Sequence, residues 1–505
     1  MRAAAVLAVA LASSLITAVP AAAAPVPVKY TQQKIDWKPC FGKVPDGLPP
    51  GSDKLQCGSL TAPMDWNNPG SGKDITVAIT RLPGKNAKGV LFTNPGGPGG
   101  TGRLLPLQLL QRGAQPLADN QDIIGIDVRG VGASSNVDCG AGSLLGAELD
   151  PRDRSEGNID LLLDTARLRS RYCQVKSGEL GRFVNTEQTV RDLDLIRALL
   201  GAEKINYLGY SAGTWLGAHY TAYFPDRVGR FVLDSIVDFT GSWQGLFNSQ
   251  AEAAEIRFRE DFLSWIAQYN DVYNLGNTFE DVHRNYEKAR AKLGPAVDVA
   301  VSSALANKAE FPDAAKALKD LVEGREPRSG GEDPQRGLGA MIGTAFSIMC
   351  NDAQWQGTED TAIRQSEEWN RKFPLTGGSK VQQGCLTWKR PPLTLKKPTG
   401  KGIPPVLMVN SEHDASTPLR GAQQAHRNFA GSRLLTVLGE GDHTMYGNAN
   451  PCVQKIVEDY LVGGVVPDRD LTCDGTGLPD PHHEVPPGPF QDMDRLEQLA
   501  GDLPR

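Results

Sequence analysis

Five consecutive residues, Gly209-Tyr210-Ser211-Ala212-Gly213, set a serine between two glycines. A serine hydroxyl is a weak nucleophile until a base takes its proton, so the motif carries chemistry only if a base and an orienting acid stand elsewhere in the chain. The pentapeptide alone is weak evidence, because a chain with 55 glycines produces it by chance. Its setting is stronger. The strand-like Ile205-Asn206-Tyr207-Leu208 precedes it and the helix-like Thr214–Phe224 follows. A strand, a sharp turn and a helix would expose the serine at a helix N-terminus, where N–H groups and the dipole favour a developing oxyanion. The competing reading is a strand-to-helix turn holding an incidental serine.

The partners narrow quickly, since the chain has only seven histidines. His443 closes Gly439-Glu440-Gly441-Asp442-His443, just after the last strand-like run, where a base following a strand belongs. His219, His283 and His426 fall in helical patterns, and His482 and His483 in the tail. For the acid, Asp414 follows the strand-like Val406–Asn410 within Ser411-Glu412-His413-Asp414. Glu412 competes, but the position further into the loop suits the acid better, and His413 reads as a surface neighbour. Upstream, Asn94-Pro95-Gly96-Gly97-Pro98-Gly99-Gly100 lacks the Lys-Ser/Thr of a phosphate loop and the spacing of a dinucleotide fingerprint. It fits a loop whose backbone N–H, at Gly97, completes an oxyanion hole with the N–H of Ala212. Asp127-Val128-Arg129-Gly130-Val131-Gly132-Ala133-Ser134 reads as a brace for the nucleophile loop. No metal or cofactor is called for.

The elements that must position these residues are short apolar runs: Ile75–Leu82, Val90–Asn94, Ile123–Asp127, Ile205–Tyr210, Phe231–Asp234, Val406–Asn410 and Leu434–Leu438. Continuously apolar runs of this length suit strands buried on both faces of a parallel sheet. Helical patterns between them, such as Thr186–Leu200, predict a wound α/β sheet. From Gly241 to Pro392 the strand signal stops and helical segments take over (Ser249–Tyr269, Thr278–Leu293, Phe311–Glu323, Gly337–Asn351), as an inserted lid would read. The expected order is a signal peptide (1–24), a loop-rich lead-in (25–62), a first core part (63–240), a helical lid (241–392), a second core part (393–473) and a tail (474–505).

A positive Met1-Arg2, the apolar run Ala3–Val19 and Ala22-Ala23-Ala24 carry the signal-peptide pattern. Export predicts disulfides for the eight cysteines, none of them in a Cys-x-x-Cys pair. Pairing neighbours gives Cys40–Cys57, Cys139–Cys173, Cys350–Cys385 and Cys452–Cys473, one or two buried free thiols being the alternative. A net charge of −6 without a basic stripe argues against nucleic acid. No later stretch resembles a membrane span, and a secreted monomer is expected.

Taken together, NPGGPGG, DVRGVGAS, GYSAGTWLGAHYTAYFP, HDASTP and GDH resemble the secreted tripeptidyl aminopeptidases and proline iminopeptidase relatives of actinobacteria, over roughly Trp37 to Cys473. Asn94-Pro95 stands where proline iminopeptidases have His-Gly, so the tripeptidyl branch matches better. The resemblance implies an α/β-hydrolase fold and a metal-free serine exopeptidase that cleaves peptides near a free N-terminus. It implies Ser211, Asp414 and His443 as triad, and Gly97 and Ala212 as oxyanion donors. A carboxylesterase or lipase would use the same motifs. An aminopeptidase also needs a carboxylate for the substrate ammonium. Asp352, in Met349-Cys350-Asn351-Asp352, is the candidate, with an ordinary helix-end residue as the competing reading.

Overall fold

The computed structural model describes residues 26–140, 142, 145–325, 338–391, 393–501 and 503–505. The expected signal segment and residues 326–337, between two expected helices of the 241–392 stretch, lie outside the described residues. Ten strands form one sheet: β1 (Lys38–Pro39), β2 (Gln56–Pro63), β3 (Asp74–Leu82), β4 (Val90–Asn94), β5 (Asp122–Asp127), β6 (Ile205–Tyr210), β7 (Val228–Asp234), β8 (Leu407–Ser411), β9 (Arg433–Leu438) and β10 (Leu471–Asp474). Their spatial order is β1-β2-β3-β5-β4-β6-β7-β8-β9-β10. The pairs β1–β2, β2–β3 and β3–β5 are antiparallel. Every pair from β5–β4 to β9–β10 is parallel. An antiparallel start followed by a crossed-over parallel series is the α/β-hydrolase fold.

The apolar runs become strands because both faces of the sheet are covered. Tyr207, Phe231 and Met408 point into one core layer. Their neighbours Leu208, Val232, Leu407 and Val409 point into the other. Every residue of β8 is buried. The two-residue β1 and most of β2 fall where a loop-rich lead-in was expected, and β10 falls at the end of the expected second core part. β2 is made of small and polar residues with an irregular burial pattern, so its sequence lacks an apolar run. β10 has four residues on the sheet edge, too few for a periodic signal.

Helices occupy most of 241–392, with shifted bounds. Ser242 Oγ accepts from Gly245 N and starts a helix at Trp243, six residues before the expected Ser249. This helix passes into a π-helical turn, Arg257–Leu263, and then Ser264–Gln268. The helices Phe279–Leu293, Pro295–Ala304 and Phe311–Val322 follow, then Leu338–Asp352 and Glu359–Lys372. Phe258, Phe262, Trp265, Tyr286, Val297 and Phe311 give this block an apolar core of its own. No helix of the described residues is long and apolar enough to cross a membrane.

All four disulfides pair sequence neighbours, as expected. Cys350–Cys385, with a separation of 35 residues, pins the end of the Leu338–Asp352 helix to the chain leaving the block. Replacing both cysteines with alanine should lower unfolding free energy by about 3–4 kcal/mol in the chain-entropy account. Denaturant titration under non-reducing conditions measures this. A loss below about 1 kcal/mol would show that packing alone holds the two segments together.

Candidate active site

Ser211 occupies the turn between β6 and the Ala212–Tyr223 helix, at φ 53° and ψ −124°. A non-glycine residue with positive φ is strained, and such strain persists only where the surroundings enforce it. The surroundings here are backbone. A Cβ on Gly209 would sit 2.6 Å from Gly213 O, and one on Gly213 would sit 2.8 Å from Asn94 O. Both glycines of the motif are therefore required by close approach. Gly96, at φ 96°, packs against the elbow: a Cβ there would lie 2.8 Å from Ser211 Cβ and 3.0 Å from Ala212 N. Its own N–H is engaged by Asn94 Oδ1 at 3.0 Å. The next residue, Gly97, is exposed at φ 109°, and Ala212 opens the helix that follows the serine.

The structure brings His443 and Asp414 together. His443 Nδ1 lies 2.9 Å and 3.1 Å from the two Asp414 oxygens. A carboxylate only accepts, so Nδ1 carries the proton and donates it, leaving Nε2 as the basic nitrogen. Ser416 N, Thr417 N and Thr417 Oγ1 donate to Asp414 at 2.8–2.9 Å and fix its orientation. Burial pushes Asp414 up, but the facing imidazole and these donors outweigh it, so the carboxyl titrates below its usual range. Burial pushes the His443 imidazolium down, and the Asp414 charge and hydrogen bond more than reverse that. Glu412, the competing acid, faces away and accepts from Gly439 N at 2.8 Å. His219 is buried with Nδ1 2.8 Å from Trp215 O, and burial pushes it down to about 4.

Sequence reasoning missed the residue that joins the serine to the histidine. Asp234, at the end of β7, is fully buried. Its carbonyl accepts from Ser211 N at 2.8 Å. Its carboxylate accepts from Met445 N at 3.0 Å and Tyr446 N at 2.7 Å, two and three residues past His443. Thr444 N donates to Ser235 Oγ at 2.7 Å, and Tyr210 Oη to Tyr446 O at 3.1 Å. Burial pushes Asp234 up to about 6 against these backbone donors. An aspartate ending an apolar run was the available signal.

The Asp127–Ser134 segment does brace, but on a different loop from the expected one. Asp127 accepts from Gly102 N (2.9 Å) and Ala133 N (2.9 Å), tying the end of the Gly-rich loop to its own turn. Arg129 is buried in a two-pronged pair with Asp192 at 2.6 and 2.7 Å. Asp352 is corrected more sharply. It is 3% exposed. Thr186 N, Thr186 Oγ1, Trp215 Nε1 and Trp243 Nε1 donate to it at 2.7–3.1 Å. Four donors match the acceptor capacity of a carboxylate, so it braces three helices and does not face an ammonium. Burial pushes it up to about 6 against those donors.

The 241–392 block grips the histidine loop directly. His443 N donates to Ala306 O at 2.8 Å. Arg257, buried in the π turn, pairs with Asp442 at 2.8 Å and Asp261 at 3.0 Å, and donates to Leu305 O at 2.6 Å. Gly441 leaves the space this guanidinium fills, which a Cβ would overlap.

Residues 374–473 match the family described as TAP-like protein. A tripeptidyl aminopeptidase of Streptomyces lividans is 35% identical, with 88% of each chain covered. The serine protease Hip1 of Mycobacterium tuberculosis is 27% identical over 87% of this chain and 91% of its own. Carboxylesterase B of the same species is 26% identical over 83% of this chain and 86% of its own. Among solved structures, a proline iminopeptidase of Mycobacterium smegmatis aligns at 14% identity and a TM-score of 0.38, covering 80% of this chain and 97% of that one. With a serine elbow, a buried His–Asp pair and this relationship along most of its length, the chain belongs to the tripeptidyl aminopeptidase family and is a serine hydrolase that acts on peptides.

Proposed function

We propose that the protein is an exported serine exopeptidase, an aminopeptidase of tripeptidyl type, working through an acyl-enzyme. Ser211 Oγ attacks the scissile carbonyl while His443 Nε2 takes its proton. Asp414 holds the imidazole in the required tautomer and stabilises its cation. Gly97 N and Ala212 N receive the oxyanion. His443 then gives its proton to the leaving amine, and water, activated by the same nitrogen, frees the peptide. The observation that carries this reading is the 2.9 Å His443–Asp414 bond, held through Asp234 to a strained Ser211. The helical block 241–392 serves as the lid that closes one end of the cleft. Four disulfides and the signal-like residues 1–24 support export, since disulfides persist in oxidising compartments.

Ser211→Ala should keep the fold and lose at least about a thousandfold in turnover, because the oxyanion hole and binding cannot replace a nucleophile. The same assay decides between exopeptidase and esterase. Acetylating the N-terminus of a peptide substrate removes its positive charge and adds bulk at the closed end. The wild type should then lose at least about a hundredfold in kcat/KM, near 2.7 kcal/mol. Equal cleavage of acetylated and free peptides would mean an endopeptidase or a general esterase.

The pH profile tests the pair. A neutral imidazole accepts the serine proton and a cationic one cannot, so activity falls as pH drops through the His443 pKa. Asp414 raises that pKa above the ordinary 6.5. Asp414→Asn removes the raising charge, so the acidic limb of kcat/KM should move to lower pH while the rate drops roughly a thousandfold or more. An unmoved limb, or a larger effect from Glu412→Gln, would put the acid elsewhere.

A further inference from the structure

The C-terminal segment brings to the site an aromatic ring that the triad does not require. Phe490 is 43% exposed. Its ring lies nearly parallel to the His443 imidazole, 14° between planes and 6.5 Å between centroids. A single exposed apolar side chain is ordinary on a protein surface. This one is held in place from both sides of the cleft. On the core side, Gln108 donates to Pro489 O, and Arg112 donates to Pro487 O at 2.9 Å and pairs with Asp492 at 2.9 Å. On the other side, Gln491 Nε2 donates to Glu310 at 2.9 Å, while its Oε1 accepts from Gly488 N at 3.0 Å. Further along the same Pro489–Ala500 helix, Thr101 Oγ1, just past the Gly-rich loop, donates to Glu497 at 2.6 Å. The helix thus runs from the histidine to the oxyanion side of the site, with Phe490 at its first turn and its ring partly uncovered.

The chemistry says which part of a substrate meets that ring. His443 Nδ1 is engaged by Asp414, so Nε2 both takes the Ser211 proton and returns one to the leaving amine. The acyl half of the substrate lies over Ser211 and the Gly96–Gly97 loop. The amine half must leave past the imidazole, along whose face Phe490 is stacked. We propose that Phe490 is a specificity-determining residue, forming the pocket for the first residue after the scissile bond and favouring an aromatic or bulky apolar side chain there. The pocket rests on the serine-peptidase reading above. Aromatic rings gain from offset or edgewise contact beyond the area they bury, which suits this ring to an aromatic leaving residue.

The test compares two free-amine peptides that share their first three residues and continue with either Phe or Gly. The quantity read is the ratio of their kcat/KM values, which does not depend on how much of a variant is correctly folded. Wild type should favour the Phe peptide, and Phe490→Ala should cut that ratio by about tenfold, the scale of one lost apolar pocket contact. Phe490→Leu, which keeps an apolar wall, should stay within about threefold of wild type. A wild-type ratio near one would overturn the proposal. So would Phe490→Ala lowering both substrates by one factor, the mark of a residue that only positions His443, or raising both, the mark of a plug. Failure of the underlying reading looks different: the wild type would then cleave neither free-amine peptide after its third residue.

Discussion

A serine elbow and a histidine loop more than 200 residues apart have to be held in one register, and Asp234 does this with a single residue. Its main-chain carbonyl receives the Ser211 N–H, and its side chain receives the N–H groups of Met445 and Tyr446. The carboxylate lies in the sheet interior, where an unpaired acceptor would be costly, so the loop must stay in contact. Ser235 extends the tie by accepting from Thr444 N at a residue that itself has a positive φ of 60°. The strained Ser235 thus carries a hydrogen bond that exists only when the histidine loop is seated.

From the other side the histidine loop is held by charge. Arg257 has no solvent exposure and reaches Asp442, Asp261 and a backbone carbonyl at once. Beside it Lys308 pairs with Glu440 at 2.5 Å, and its backbone N–H donates to Asp442 at 2.7 Å. Removing one member of a buried pair leaves a charge without compensation, at a cost of roughly 3–5 kcal/mol. The π turn has a use here, since such bulges place a side chain where a regular helix would not. The helical block is therefore part of the machinery that positions the base.

How much of this the sequence displayed depended on the range of the interactions. β4 and β6 are found at their expected bounds, because buried parallel strands announce themselves by unbroken apolar runs. Loop depth favoured Asp414 over Glu412, and the neighbour pairing of cysteines was one of several the sequence left open. What stayed hidden depends on contacts between distant segments. β2 is recognisable only by its pairing with β3. Asp234 looks like the last residue of a strand until its carboxylate is seen under the histidine loop. Asp352 has the position an amine-binding carboxylate could occupy, but three donor side chains from 186, 215 and 243 claim it. Phe490 lies in a Pro-rich tail whose composition says only that it wraps a surface.

That tail changes what motion the fold allows. After β10, fixed by Cys452–Cys473, the chain crosses the helical block: Lys308 Nζ donates to Thr476 Oγ1, Trp265 Nε1 donates to Pro479 O, and His482 pairs with Asp271. It then turns at Gly488 and docks on the core helix Leu105–Gln111, burying Leu496 and joining Asp492 to Gln111 and Arg112. One segment is thus bonded to block and core in succession, with the ring beside His443 at the crossing point. A lid joined to its core only at two hinges could swing open as a rigid body. Here such a swing would have to break the ties to Glu310 and Asp271, or those to Gln108 and Arg112, together with the Arg257–Asp442 pair. These bonds tie the helical block to the core at several points beyond the two places where the chain enters and leaves it.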